Sequence, residues 1–266
     1  MDVGTNLIFT GYDWHEYFSR DGHFLATVST NGVMQIWDVG RKVLWRQLTN
    51  TTGEAVPIIF FADGNKLITW SERDNLLHEF NLATGLEIQS WPAPTQFDVA
   101  TITPDERFCL AIGEGSGVLR NLADESQTKL DLDALEIDTG SYSPDGKLFA
   151  IASSLGYARV WDTATWQPVT LRGFLQGVHG MGFSKDGRRL ATGSDENEAV
   201  KLWDTESWQE VLTLGGQGTG FGGVRFSPDG NTIAWGNTTT LYLWRAPSWA
   251  EINAAEAKEK AESKQP

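Results

Sequence analysis

Short apolar runs recur along this chain at a nearly constant spacing. Each is cut off by glycine, asparagine, aspartate or proline before it reaches helical length. One set of runs precedes an Asp-Gly turn, as in "PIIFF", "VATIT", "MGFS" and "VRFS". A second set follows the turn, breaks at small or polar residues and resumes: "LATVSTNGVMQIWD" from Leu25, "LAIGEGSGVLRNLA" from Leu110, "FAIASSLGYARVWD" from Phe149. Two strands joined by a hairpin produce that layout. One further run, such as "QPVTL", comes after the aromatic-Asp pair, so each unit predicts four strands.

The turns set the period. Their aspartates are Asp21, Asp63, Asp105, Asp145, Asp186 and Asp229, at steps of 42, 42, 40, 41 and 43 residues. Likewise "VWDTATWQPVTLRG" from Val160 returns as "LWDTESWQEVLTLGG" from Leu202. Four strands in about 40 to 45 residues with a Trp-Asp ending is the pattern of propeller blades. On Trp37-Asp38, Trp161-Asp162 and Trp203-Asp204, with weaker forms at Phe80-Asn81, Leu122-Ala123 and Trp244-Arg245, the chain resembles the WD-repeat β-propeller family over about residues 5 to 245. A four-stranded sheet cannot bury both faces alone, so the repeated Trp is expected to fill the space between blades.

Six units of three inner strands can be counted, and the last runs into "LYLWRAPSWAEINAAEAKEK" without a fourth strand. A spare strand, "TNLIFTG", stands before the first unit at Thr5 to Gly11. The resemblance implies an all-β, six-bladed propeller over residues 1–245, closed by that N-terminal strand, which would leave no sheet edge exposed. The rival is a fragment of a longer array, since seven blades are the family's usual number. "SWAE" from Ser248 is a capping box, so residues 246–266 are read as a short helix over about Trp249 to Ala261 and a frayed tail. The ending "LYLWRAPSWAEI" is similar to the last blades of large bacterial signalling proteins, which implies a bacterial type.

Composition narrows the functional classes. Thirty-five acidic against 21 basic residues give a formal charge of −14, a field that repels nucleic acid and anionic membranes. The single cysteine, Cys109, can form no disulfide within the chain and is read as a buried apolar residue. With no signal-like start and no run near the length of a membrane span, a cytoplasmic location is expected.

Catalytic patterns are missing. None of His15, His23, His78 and His179 has metal-ligand spacing, and no serine sits in a nucleophile elbow. The glycine-rich "GEGSG" and "GGQGTGFGG" lead into strands rather than a helix, so they are turns and links, not phosphate cradles. The acidic stretches "ADESQTKLDLDALEID" and "DENE" lack the ligand pattern of a calcium loop. No metal or cofactor is expected. The family's Gly-His pair is replaced by Gly11-Tyr12, Gly173-Phe174 and Gly216-Gln217, so its His-centred hydrogen-bond network cannot be assumed.

Function is then expected on a rigidly presented surface. Partners of the resembled family dock mainly around the central channel, on the links between blades and the inner hairpins. Carried onto this chain, that face gives Trp14, His15, Asp98, Asp138 and His179 at the starts of innermost strands, and Arg73, Tyr157 and Glu196 in inner hairpins. The reading is a non-enzymatic scaffold for a protein or peptide, with a basic segment favoured by the charge and a monomer expected if the ring closes. The alternative is a propeller hydrolase or small-ligand module with its site at the channel mouth.

Overall fold

The computed structural model describes residues 12–19, 21–29, 33–48, 55–95, 97–113, 115–134, 136–174, 176–194, 200–215, 223–227, 229–236 and 240–246, apart from the side chains of 12–16 and 29. These form two compact units, Met1–Leu132 and Asp133–Pro266. All regular elements among them are strands. The expected C-terminal helix and the spare N-terminal strand lie outside the described residues.

The first unit holds three sheets. They are β1 (Tyr12–Phe18), β2 (Phe24–Ser29), β3 (Met34–Asp38) and β4 (Val43–Leu48); β5 (Ala55–Phe60), β6 (Lys66–Ser71), β7 (Leu76–Asn81) and β8 (Leu86–Pro92); and β9 (Phe97–Ile102), β10 (Phe108–Gly113), β11 (Ser116–Asn121) and β12 (Gln127–Asp131). The second unit holds β13 (Ile137–Tyr142), β14 (Leu148–Ser153), β15 (Tyr157–Asp162) and β16 (Pro168–Leu171); β17 (Val178–Phe183), β18 (Arg189–Ser194), β19 (Val200–Asp204) and β20 (Glu210–Leu214); and β21 (Arg225–Phe226), β22 (Thr232–Gly236) and β23 (Leu241–Arg245). Every sheet is an antiparallel meander, as the hairpin-separated runs predict.

Within each unit, successive sheets meet at their first strands: β1 beside β5 and β5 beside β9, then β13 beside β17 and β17 beside β21. Apolar cores fill the gaps. Met34, Ile36, Leu67 and Phe80 lie between the first two sheets, and Ile68, Leu77, Trp91 and Cys109 between the next two. In the second unit Val160, Met181 and Trp203 join the fourth and fifth sheets, and Val200, Val224 and Trp235 the fifth and sixth. Cys109 is buried as expected, and burial pushes its thiol up to about 12, so it is inert.

Two repeated side-chain devices shape the turns. In the Asp-Gly turns the hydroxyls of Ser19, Thr103, Ser143, Ser184 and Ser227 donate to the aspartate two residues on, at 2.5–2.7 Å. That aspartate accepts a backbone N–H in turn, as Asp145 does from Lys147 at 3.2 Å. At the end of the third strand in each of the first five sheets an Asp or Asn oxygen caps the next turn. Asp38, Asn81, Asn121, Asp162 and Asp204 accept the N–H groups of Arg41, Thr84, Ala123, Thr165 and Ser207 at 2.8–2.9 Å. Either residue type can do this, because the turn uses only an acceptor.

This geometry corrects one alignment. Phe149 faces Trp161 across β14 and β15, and Cys109 faces Arg120 across β10 and β11. The third sheet's counterpart of Trp-Asp is therefore Arg120-Asn121, two residues before the expected Leu122-Ala123. Arg120 is 5% exposed, with its guanidinium 4.8 Å from the Trp91 ring. A buried cation over an aromatic face occupies the place of an indole.

Candidate functional site

Among the described candidates, Arg73 and Asp98 in the first unit and Asp138, Tyr157 and His179 in the second lie at the end of their own sheets where first strands begin and the hairpins between second and third strands turn. In the second unit, Asp138 and His179 are each the second residue of a first strand, β13 and β17. Because β13 and β17 are neighbours, residues 41 apart meet: His179 Nδ1 contacts Asp138 Oδ2 in a hydrogen bond. The side chains remain 29% and 33% exposed. A carboxylate facing Nδ1 places the neutral imidazole's proton on that nitrogen.

The surrounding backbone holds this pair in place. A Cβ on Gly177 would stand 2.7 Å from His179 Nε2 and 2.8 Å from the Ser154 carbonyl, so only glycine fits under the ring. A Cβ on Gly156, whose φ is +80°, would come within 3.1 Å of the Gln176 carbonyl. The hairpin after β14 thus packs directly on the segment leading into β17. Ser154 Oγ also donates to Glu136 Oε2 at 3.0 Å.

Tyr157 opens β15 on the same side and carries the Arg159 guanidinium 5.5 Å from its ring. Arg159 is 14% exposed; its Nη1 donates to the Asp133 carbonyl and its Nε to Thr170 Oγ1 at 3.2 Å. Leu155, at the tip of the hairpin between β14 and β15, is 53% exposed and was not among the sequence candidates. Asp133, Glu136 and Asp138 on and before β13 are all exposed, and Glu136 accepts from Ser154, the residue before Leu155.

In the first unit, Arg73 lies in the exposed turn between β6 and β7, and Asp98 is the exposed second residue of β9. Between them lies an aromatic pair that the sequence reading passed over: Trp70 and Phe97, ring centroids 4.9 Å apart and both half-buried. Asn75 ties this hairpin to the segment that follows β8 of the same sheet. Its Oδ1 accepts from Trp70 Nε1 at 3.2 Å and its Nδ2 donates to the Ala93 carbonyl at 3.2 Å. Trp14 and His15 lie on β1 with side chains outside the description, and Glu196 falls outside the described residues.

The remaining histidines have structural places. His23 is exposed in its Asp-Gly turn, where its N–H donates to Asp21 at 3.0 Å. His78 is buried on β7, with Asp74 and Glu87 at 3.6 and 3.4 Å from its ring nitrogens. One leg of the network that the sequence did not allow to be assumed is present: Trp37 and Trp203 donate their indole N–H to Thr27 and Thr192 at 3.0 and 2.9 Å.

A WD40 family profile (WD domain, G-beta repeat) matches residues 7–38 and 167–204. The chain is 28% identical over 155 residues to the WD repeat-containing protein slp1 of Schizosaccharomyces pombe, covering 56% of this chain and 32% of that protein. It is 27% identical over 228 residues to the WD repeat-containing protein WDS homolog of Arabidopsis thaliana, covering 79% and 42%. An uncharacterized WD repeat-containing protein, sll1491, of Synechocystis is 32% identical over 109 residues, covering 40% and 31%. The alignments thus span less than half of each of these relatives, and their mixed sources lend no support to a specifically bacterial type. Two matched segments, six antiparallel sheets among the described residues and WD-repeat relatives together support placing this chain among the WD40-repeat proteins.

Proposed function

We propose that the chain is a non-enzymatic propeller scaffold that binds a basic protein segment on the side where the first strands begin. The observation that carries this reading is the acidic edge of the second unit, where Asp133, Glu136 and Asp138 on and before β13 are exposed and Glu136 accepts from Ser154, the residue before exposed Leu155. The nearby cations are Arg159, already bonded to Asp133, and Arg172 at the end of the outer strand. A carboxylate rim beside an apolar contact favours a partner with lysine or arginine next to an apolar residue. On the second unit the surface is proposed to include Tyr157, His179 and Glu196; Trp14, His15, Arg73 and Asp98 of the first unit are proposed separately as partner contacts, with the molecule in the cytoplasm.

Six blades closed by residues 5–11 belong to the same proposal. The second profile match begins with the outer strand β16 and ends at Asp204, so a sequence repeat borrows its first strand from the preceding sheet. The first match runs from residue 7 to Asp38, and no sheet precedes it among the described residues. At the other end, β23 has no fourth strand beside it among the described residues, and its Leu241 and Leu243 are 67% and 63% exposed.

The function is tested by fluorescence anisotropy with a rhodamine-labelled oligolysine peptide and an oligoglutamate counterpart. Oligolysine should bind, with affinity falling as salt rises. Asp138→Lys should weaken it, and Lys147→Ala, in the Asp-Gly turn at the opposite end of the fourth sheet, should not. Equal binding of both peptides, or weakening only by Lys147→Ala, would reject the acidic face.

A further inference from the structure

The Asp-Gly turn of the second sheet is covered by Phe24, the first residue of β2, which faces Asp38 across the first sheet. A Cβ added to Gly64 in that turn would come within 3.2 Å of the Phe24 ring. In the fifth sheet the same place, opposite Asp204, belongs to Arg189. Its Nη1 turns back to Asp204 Oδ2 at 2.6 Å and to the Arg188 carbonyl at 2.8 Å. Gly230 of the sixth sheet, the counterpart of Gly64, has nothing within 4 Å of a Cβ position. An open cleft of about 580 Å³ is left between the two turns, in the size range of small-molecule sites.

The two walls differ in charge. The fifth-sheet turn brings Lys185 and Arg189 to the cleft. Lys185 is exposed, and no ion pair joins it to another described residue. Asp186 on the same turn is engaged locally: its Oδ1 accepts from Ser184 Oγ at 2.6 Å and from the Arg188 N–H at 3.1 Å, and the Arg188 charge offsets its own. The sixth-sheet turn contributes Asp229 and Asn231. Asp229 Oδ1 accepts from Ser227 Oγ at 2.5 Å and from the Asn231 N–H at 3.1 Å, which holds the carboxyl below its usual range and therefore ionised at neutral pH. Its Oδ2 meets Asn231 Nδ2 at 3.5 Å, too long for a strong bond. Phe226, half-buried at the end of β21, adds an apolar ring to the lining.

A cationic wall, an anionic wall and an aromatic ring match the three groups of a free amino acid. We propose that this cleft binds an α-amino acid with an apolar side chain, its carboxylate on Lys185 and Arg189, its ammonium on Asp229 and its side chain against Phe226. The site lies at the opposite end of the fifth sheet from His179 and stands independently of the acidic-face reading. It exists because Arg189 is drawn to Asp204, where Phe24 instead closes the gap to the next turn.

The test titrates the full chain with L-phenylalanine, followed by ligand-observed NMR and calorimetry. An affinity on the order of 1 mM is expected for a ligand of about a dozen non-hydrogen atoms. Phenethylamine, which lacks the carboxylate, and 3-phenylpropionate, which lacks the ammonium, should each bind at least about tenfold more weakly. Lys185→Ala should weaken phenylalanine binding roughly three- to tenfold and leave phenethylamine binding unchanged, a split that a merely structural role would not produce. Asp229→Asn keeps the turn's acceptor and should weaken phenylalanine but not 3-phenylpropionate. Arg189→Phe, which fills the gap as Phe24 does, should abolish binding, with circular dichroism to check that each variant folds. No binding of phenylalanine at about 10 mM overturns the proposal. So does equal binding of the two singly charged analogues and phenylalanine, or an Arg189→Phe chain that binds like the wild type.

Discussion

In the fifth sheet Trp203 is 5% exposed, and its indole N–H donates to the buried Thr192 hydroxyl at 2.9 Å. In the second sheet the corresponding place, opposite Leu67, belongs to Phe80, and the threonine is Thr69. Phe80 has no N–H to give. Thr69 Oγ1 is wholly buried and meets no hydrogen-bond partner among the described residues. The third sheet solves the same packing problem with Arg120. One backbone plan thus accepts an indole, a phenyl ring or a cation at a single position, provided the neighbouring sheet is built to receive it. For Arg120 the receiving set is Trp91 and Gln89, whose Oε1 lies 2.9 Å from Nη2 and whose amide donates to the buried Glu79 at 2.5 Å. Lys66 closes that network at 2.8 Å from Glu79.

The largest expected effect comes from emptying the slot. Trp203→Ala should cost about 3–5 kcal/mol through lost burial and the cavity left behind. Arg120→Ala should cost about 2–3 kcal/mol, less than a fully buried ion pair because its partner Glu125 is 68% exposed. Arg120→Met, which keeps most of the volume, should recover more than half of that loss. Denaturant midpoints decide the matter. A loss below about 1 kcal/mol for both Ala variants would show that these side chains do not join the sheets.

A smaller effect, opposite in sign at the two threonines, follows from the indole. Thr192→Val should destabilise by about 1–2 kcal/mol, since it strands a buried N–H. Thr69→Val removes a buried hydroxyl that bonds nothing and should stabilise by up to about 1 kcal/mol. Two losses of equal size would mean that Thr69 has a partner the comparison lacks.

These contrasts show what the sequence could and could not disclose. Strand count, turn positions and the buried Trp161 and Trp203 follow from alternation and turn chemistry, which are local. Arg120 escaped because a cation does not look like an indole in a string of letters. The alignment slid to Leu122-Ala123, although Asn121, a turn-capping acceptor like Asp162, marked the right place. The candidates Asp138 and His179 were legible as equivalent positions in successive repeats. Their direct contact was not, because it depends on β13 lying beside β17. Trp70 and Phe97 were missed for a different reason: they read as ordinary core residues, and only their half-exposure sets them apart.

The smallest predicted effect concerns the turns, which are nearly the same in both units. Ser143 donates to Asp145 at 2.7 Å and holds its carboxyl below the usual range, against a smaller opposing push from burial. A carboxyl whose folded-state value lies below its unfolded one stabilises the fold above the unfolded value, and that contribution is lost as pH falls through the folded value. Ser143 Oγ also accepts the Leu148 N–H at 3.0 Å, a bond indifferent to pH in this range. Ser143→Ala should therefore lower the melting temperature most near about pH 7, by an amount worth under about 1 kcal/mol because Asp145 is 54% exposed. The gap from the wild type should narrow below about pH 4 and settle at a residue owed to Leu148. In the second sheet the same turn has Phe61 in place of the hydroxyl, and Asp63 accepts only the Asn65 N–H at 2.9 Å among its described bonds. Phe61→Ser, placed opposite Asp63, would test the device in reverse, but Phe61 is 5% exposed and its lost burial would outweigh the new hydrogen bond. The acid titration of Ser143→Ala is thus the cleaner measurement. A gap that stays constant or widens toward acid would show that the hydroxyl does not act through the Asp145 carboxylate.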